Sequence, residues 1–306
     1  MRVTPGMTAD NALYYLQQGR LGLDQVQEKI ASGNNINRPS DDPITTRQLL
    51  DLSSQIRSWE QFGDNIKSGN IWLNVTNTAL TAIRAMISQA KSIAGSISSG
   101  SSDATLRNSV ISQLRGLKSQ LVDLGNTQLG DRYIFAGFKN SIPPFVTGSD
   151  PDPLSATFTP VQFVGDNQSP VIEVGEGLTA SIATAGGELL SGSSGGTDVL
   201  AVFDRLIQAI SANDATAINT EAKGLDAAAT QVDDAISRVA GKLLLLKNAE
   251  EVNTGNINTL KNVIGDRQNV DYAMAATVLS QQQTAFQAAL STTAKISQLS
   301  LLDYLK

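Results

Sequence analysis

Residues 52–94 read LSSQIRSWEQFGDNIKSGNIWLNVTNTALTAIRAMISQAKSIA, and the spacing within them decides the fold. Leu52, Trp59, Ile66, Leu73, Leu80, Ile87 and Ala94 recur at strict seven-residue intervals. Seven residues fall slightly short of two turns of straight α-helix. A helix that keeps this period must wind left-handedly around a long partner. At 1.5 Å per residue the segment would span about 65 Å. The companion positions, three residues earlier, start apolar at Leu49 and Ile56, then become Gly63, Asn70, Asn77, Arg84 and Lys91. That predicts a narrow seam, or one whose second side meets a changing neighbour.

A second long stripe supplies the partner. Leu225, Ala229, Val232, Ile236, Val239, Leu243 and Leu246 are followed by Glu250 and Asn253, then by Ile257, Leu260 and Ile264. Its length, about 60 Å, matches the first. The two are predicted to pack antiparallel in one rod. A shorter helix joins them, with Val110, Leu114, Leu117, Leu121 and Leu124 in steps of four and three, running to about Gly130. Asp198 is a candidate cap for a further helix carrying Phe203, Leu206 and Ile210.

Both ends carry weaker amphipathic stripes. Leu16, Leu23 and Ile30 mark a helix over roughly 8–32, stopped by Ser32-Gly33-Asn34-Asn35. Phe286, Leu290, Ile296, Leu299 and Leu302 mark another over roughly 268–304, with a polar face of Gln and Thr. The two stripes are expected to pair with each other, and to become fully ordered only among neighbouring copies. Between the first helix and the rod, Pro39 pushes Arg38 out of helical geometry. Asp42 can cap the next helix, and Pro43 suits its first position.

The composition shifts in the middle. Six of the nine prolines lie between 143 and 170. Val161/Phe163 and Ile172/Val174 alternate around Gly165-Asp166-Asn167, the mark of a hairpin. The expected fold is therefore mainly α: an elongated antiparallel helical rod, coiled-coil-like, with a small β-rich insertion and paired N- and C-terminal helices. In residue terms, 1–42 pairs with 266–306, 43–135 plus 198–265 form the rod, and 136–197 are the insertion. Tyr133 and Phe135 would anchor the insertion to the rod.

Composition excludes much chemistry. The chain has 306 residues, no cysteine and no histidine, so thiolate or imidazole metal sites and Ser-His-Asp triads are ruled out. Lys and Arg total 23 against 29 Asp and Glu, a net charge of −6 that argues against a nucleic-acid partner. No apolar run approaches a membrane span, and no secretory signal is visible. No catalytic, cofactor or metal residues are assigned. The carboxylates of the insertion, Asp150, Asp152, Asp166, Glu173 and Glu176, are the groups an effector or enzyme would have to use, and read first as solvated loop charges. Pattern alone fits either a protomer that polymerises through its two ends or a plain bundle with its ends tucked in.

Three motifs bear on that choice. Ile30-Ala31-Ser32-Gly33 through Arg38-Pro39-Ser40-Asp41-Asp42-Pro43 resembles the N-terminal signature of the flagellin superfamily, in the form carried by its hook–filament junction branch. Gly130-Asp131-Arg132-Tyr133-Ile134-Phe135-Ala136-Gly137, with Pro144-Phe145 after it, resembles that branch's exit from the rod. Leu299-Ser300-Leu301-Leu302-Asp303-Tyr304-Leu305 resembles its ending. The likeness covers 1–145 and roughly 220–306, and departs at Asn34-Asn35, where relatives often carry basic residues.

The resemblance implies a structural adaptor, not an enzyme, at the hook–filament junction of the extracellular flagellum. Its partners would be hook-associated protein 1, flagellin and copies of itself in a ring. A cytosolic chaperone and the flagellar type III export apparatus would carry it out without a cleaved signal. The apolar stripes themselves set Leu16, Leu23 and Ile30 against Phe286, Leu290 and Ile296, and with Leu299 and Leu302 these are the expected assembly interface. The alternative within the superfamily is flagellin, the filament subunit.

Overall fold

The computed structural model describes residues 5–97, 103–193 and 195–304. In chain order the elements are α1 (Pro5–Ser32), α2 (Pro43–Ile97), α3 (Ala104–Gly125), β1 (Gln128–Leu129), β2 (Arg132–Tyr133), β3 (Phe145–Val146), β4 (Gln162–Phe163), β5 (Val171–Gly175), β6 (Leu178–Ser181), α4 (Gly186–Leu190), α5 (Val199–Ala212), α6 (Ala215–Gln268) and α7 (Tyr272–Tyr304). Among the described residues no helix is long and apolar enough to cross a membrane. The chain divides into two compact units, Met1–Ser58 with Asn256–Lys306, and Trp59–Gly255.

The 59–255 unit holds the main core. Ile66, Leu73, Leu80, Ile87 and Ala94 of α2 are all fully buried, as their spacing requires. The second row of the seam lies three residues after these positions, not before them. Ile83, Ala90, Ile97 and Thr76 are buried there, with Gly69. Thr76 tolerates burial because its hydroxyl donates to the Trp72 carbonyl at 2.9 Å. On α6, Ile218, Leu225, Val232, Val239, Leu246 and Asn253 form an equally strict seven-residue row, each 0–2% exposed. The two helices run antiparallel: Arg84 pairs with Asp233 at 2.9 Å, and Lys91, one heptad on, pairs with Asp226, one heptad back.

α3 and α5 complete the helical layer. Asp198 caps α5 by accepting from the Ala201 amide at 2.9 Å, and Asn213, left-handed at φ 54°, ends it. Asp214 restarts the helix as α6, accepting from the Thr216 and Ala217 amides. α3 stops at Gly125, short of the expected Gly130. A side chain at Gly125 would collide with the Phe145 ring, 2.7 Å from the site of its Cβ. The chain therefore turns out at Asn126, whose side chain bonds the Phe145 amide and carbonyl, and enters the β1–β2 hairpin.

The insertion consists of two-stranded antiparallel pairs, β3 with β4 and β5 with β6, joined by irregular chain. Polar side chains of α6 fasten it. The Gln231 amide donates to the carbonyls of Leu189 and Thr197, and the Lys242 ammonium to the Ala183 carbonyl at 2.6 Å and the Ser181 hydroxyl. Ile172 packs over Gly69, where a Cβ would stand 2.6 Å from its methyl.

Candidate assembly surface

In the terminal unit α1 and α7 lie antiparallel. Gly19 abuts the Phe286 ring and Gly22 abuts Gln282, each 3.4 Å from where a Cβ would sit. Beside the two glycines lies a cavity of about 250 Å³, bordered also by Tyr15, Ala285 and Ala289. Where the helices meet the turn, a backbone bridge ties them: the Asn35 amide donates to the Gln268 carbonyl at 2.6 Å and the Val270 amide to the Gly33 carbonyl at 2.9 Å. Gly33 sits at φ 74°, which side chains rarely adopt. Asp271 caps α7 through the Ala273 and Met274 amides.

The turn is built by its two aspartates, each with a separate task. The Asp41 carboxylate accepts from the Asn37 and Arg38 amides, closing the loop. Asp42 accepts from the Ile44 and Thr45 amides and the Thr45 hydroxyl, at 2.6 Å for the last. That hydroxyl, then the Thr45 amide, hold the Asp42 carboxyl below the ordinary aspartate value. Pro43 occupies the first helical position behind this cap, and Pro39 is exposed. Arg38 pairs with Glu28 at 3.1 Å.

The expected interface residues fall into three groups. Leu16, Leu23, Ile30 and Phe286 are half-buried. Leu290 stays 46% exposed. Ile296, Leu299 and Leu302 lie in α7, but their side chains fall outside the described residues. Sequence reading missed the more prominent feature. Leu13, Tyr14, Tyr15 and Leu21 on α1, and Tyr272 and Met274 on α7, are each more than half exposed. Tyr14 and Tyr15 touch edge to face, with centroids 5.7 Å apart. Their signal was apolar and aromatic residues off the seven-residue stripe.

At the other candidate positions, Phe135 is fully buried and its carbonyl accepts from the Gly186 amide at 3.1 Å. Tyr133 is half-buried, its amide bonded to the Asn140 carbonyl. Three of the insertion's carboxylates have partners. Asp150 lies below the ordinary value, through the Ser155 hydroxyl first and the Thr157 hydroxyl second. Asp152 pairs with Arg115, and Asp166 accepts from the Gln168 amide. Among the described residues no three acidic groups gather as metal ligands.

A mainly helical chain whose first and last helices pair, with a β-rich insertion between long antiparallel helices, has the architecture that the flagellin resemblance leads one to expect. Residues 4–140 match the bacterial flagellin N-terminal helical region. The chain is 23% identical over 290 residues to flagellar hook-associated protein 3 of Escherichia coli K12, covering 91% of this chain and 92% of the relative. Its fold is similar to a Vibrio parahaemolyticus protein described as flagellar hook-associated, with a TM-score of 0.67, 21% identity, and coverage of 75% of this chain and all of the other. It is also similar to the Legionella pneumophila flagellar junction protein FlgL, with a TM-score of 0.58, 13% identity, and coverage of 72% and 99%. Residues 4–140 thus carry a flagellin-type N-terminal helical region, and over most of its length the chain is similar to flagellar hook-associated protein 3.

Proposed function

We propose that this chain is a structural adaptor of the bacterial flagellum, joining the hook-associated layer to the flagellin filament through packing of its helices. The observation that carries the reading is the terminal unit. One chain pairs α1 with α7, yet leaves Leu13, Tyr14, Tyr15, Leu21 and Met274 facing water. Large apolar and aromatic side chains left in water along paired helices support reading the unit as an interaction surface. Neighbouring copies in a ring, hook-associated protein 1 below and flagellin above would cover that surface. No catalytic step is assigned. Export through the flagellar type III apparatus, with a cytosolic chaperone on α7, would deliver the chain to the junction.

Deletion of the gene tests the role. A strain lacking a junction adaptor exports flagellin that does not polymerise and accumulates in the medium. A strain lacking its filament subunit has no flagellin to shed. Recovery of filaments with the wild-type chain, and not with Tyr14→Ser/Tyr15→Ser, would tie the role to the exposed face. Intact filaments on the deletion strain would refute it.

A further inference from the structure

We propose that Asn253, with Gly63 opposite it, fixes the register of α6 against α2, selecting one heptad alignment among several that the large apolar rows alone would accept. The large apolar row of α2 and the row of α6 repeat strictly every seven residues, so along these two rows sliding one helix by seven leaves apolar groups facing apolar groups, and Gly69, whose Cβ site lies 3.0 Å from Leu246, is the one other layer that resists it. The ion pairs do not prevent this. They are themselves seven residues apart on both helices, so a slip in one direction brings Lys91 to Asp233 and keeps a pair.

The Asn253 layer lacks this tolerance. Asn253 is 2% exposed, and its Nδ2 donates to the Trp59 carbonyl at 2.8 Å. Its Oδ1 is buried without a partner, so the layer is already under-satisfied and cannot lose its one bond cheaply. Position 63 leaves the amide room: a Cβ there would already be in van der Waals contact with Nδ2 at 3.4 Å, so any longer side chain has to compete with the amide for the space. One heptad either way, α2 carries Ile56 or Asn70 in place of Gly63. A slipped pairing therefore buries the amide against a side chain, which crowds it off the Leu52 or Ile66 carbonyl that would take the place of that of Trp59. A polar residue at one core position of a helical seam is the best-attested means of specifying alignment.

The absence of cysteine makes the test clean. Asn77 and Ala240 lie one heptad along from Arg84 and Asp233, so Asn77→Cys/Ala240→Cys reports the native register. Arg84→Cys/Ala240→Cys and Asn70→Cys/Ala240→Cys report a slip in either direction. Each full-length double variant is treated with a short bifunctional thiol reagent, with Asn253 present and with Asn253→Leu. With Asn253, only the 77/240 pair should link. With Asn253→Leu, a slipped pair should rise from trace to on the order of a tenth of the chains, while helicity and Tm hold or increase. If Asn253→Leu lowers helicity, Asn253→Ala is read the same way. Linking through 77/240 alone in the folded variant overturns the proposal.

Discussion

Lys118 of α3 and Asp204 of α5 form an ion pair in which each side chain is only 8% exposed. The Lys118 ammonium also lies 5.3 Å from the centre of the Phe158 ring, so one cation serves both the helical layer and the loop laid over it. Burial outweighs the lysine's help and raises the Asp204 carboxyl above its ordinary value. Removing one partner strands a buried charge, whereas removing both restores an apolar contact. Lys118→Met should therefore destabilise the chain by about 3–5 kcal/mol, and Lys118→Met/Asp204→Leu should recover most or all of that. Urea unfolding of the wild type and both variants measures it. A double variant as weak as the single one would show the pair to be a net stabiliser.

Lys242 ties α6 to the β5–β6 hairpin, and its environment predicts a pH effect. Burial, then repulsion from Arg238, lowers its pKa from 10.5. The charged form is penalised only in the folded chain, so below the lowered pKa the full penalty stands. As pH rises from there to 10.5, the folded chain releases its proton before the unfolded one, and stability increases. The wild type should gain stability relative to Lys242→Met over this range. Thermal unfolding between pH 8 and 11 tests it, because other alkaline titrations cancel in the difference. A flat difference would mean that the amine keeps its ordinary affinity.

The seven-residue row of α2 was legible because Ile66, Leu73, Leu80 and Ile87 are large, apolar and strictly spaced. The second row was not. Gly69, Thr76 and Ala90 are small or polar, and nothing in their chemistry announces burial, while Leu49 and Ile56 drew attention to the positions before. Asn253 was visible as an interruption of the α6 stripe, but its partner is a backbone carbonyl, which no side-chain pattern reveals. The end of α3 depends on Phe145, twenty residues downstream, and so on packing that local propensity does not contain. The capping residues Asp42 and Asp198 were readable because a cap acts within three residues of itself.

Gly69 is the point where α2 admits the insertion. A Cβ there would lie 2.6 Å from an Ile172 methyl, 3.0 Å from Leu246 and 3.2 Å from Ile182. Gly69→Val should cost about 1–3 kcal/mol as an overpacked site, with Gly95→Val as the exposed helical control. Paired with Ile172→Ala, which removes the nearest clash, Gly69→Val should cost less than the sum of the two single changes. Additive losses would place the strain elsewhere. The readout is Tm by circular dichroism for the four-member cycle.

Tyr14 and Tyr15 allow assembly to be separated from folding. Both are more than half exposed, so replacing them with serine removes little that the isolated chain buries. Such surface changes usually stay within about 0.5 kcal/mol per site. If neighbouring copies cover this face, each ring instead loses a buried contact at every interface of the ring, and assembly falls steeply. Tyr14→Ser/Tyr15→Ser should therefore keep the wild-type Tm yet fail to restore filaments. Hydrogen exchange provides the matching physical reading. Amides before residue 40 and after 268 should exchange faster in the monomer than those of 66–94 and 225–246, because the terminal helices bury few groups while the core rows are sealed. A drop in Tm, or equal protection along the whole chain, would mean that α1 stabilises the monomer itself and that its aromatic face is not held in reserve for neighbours.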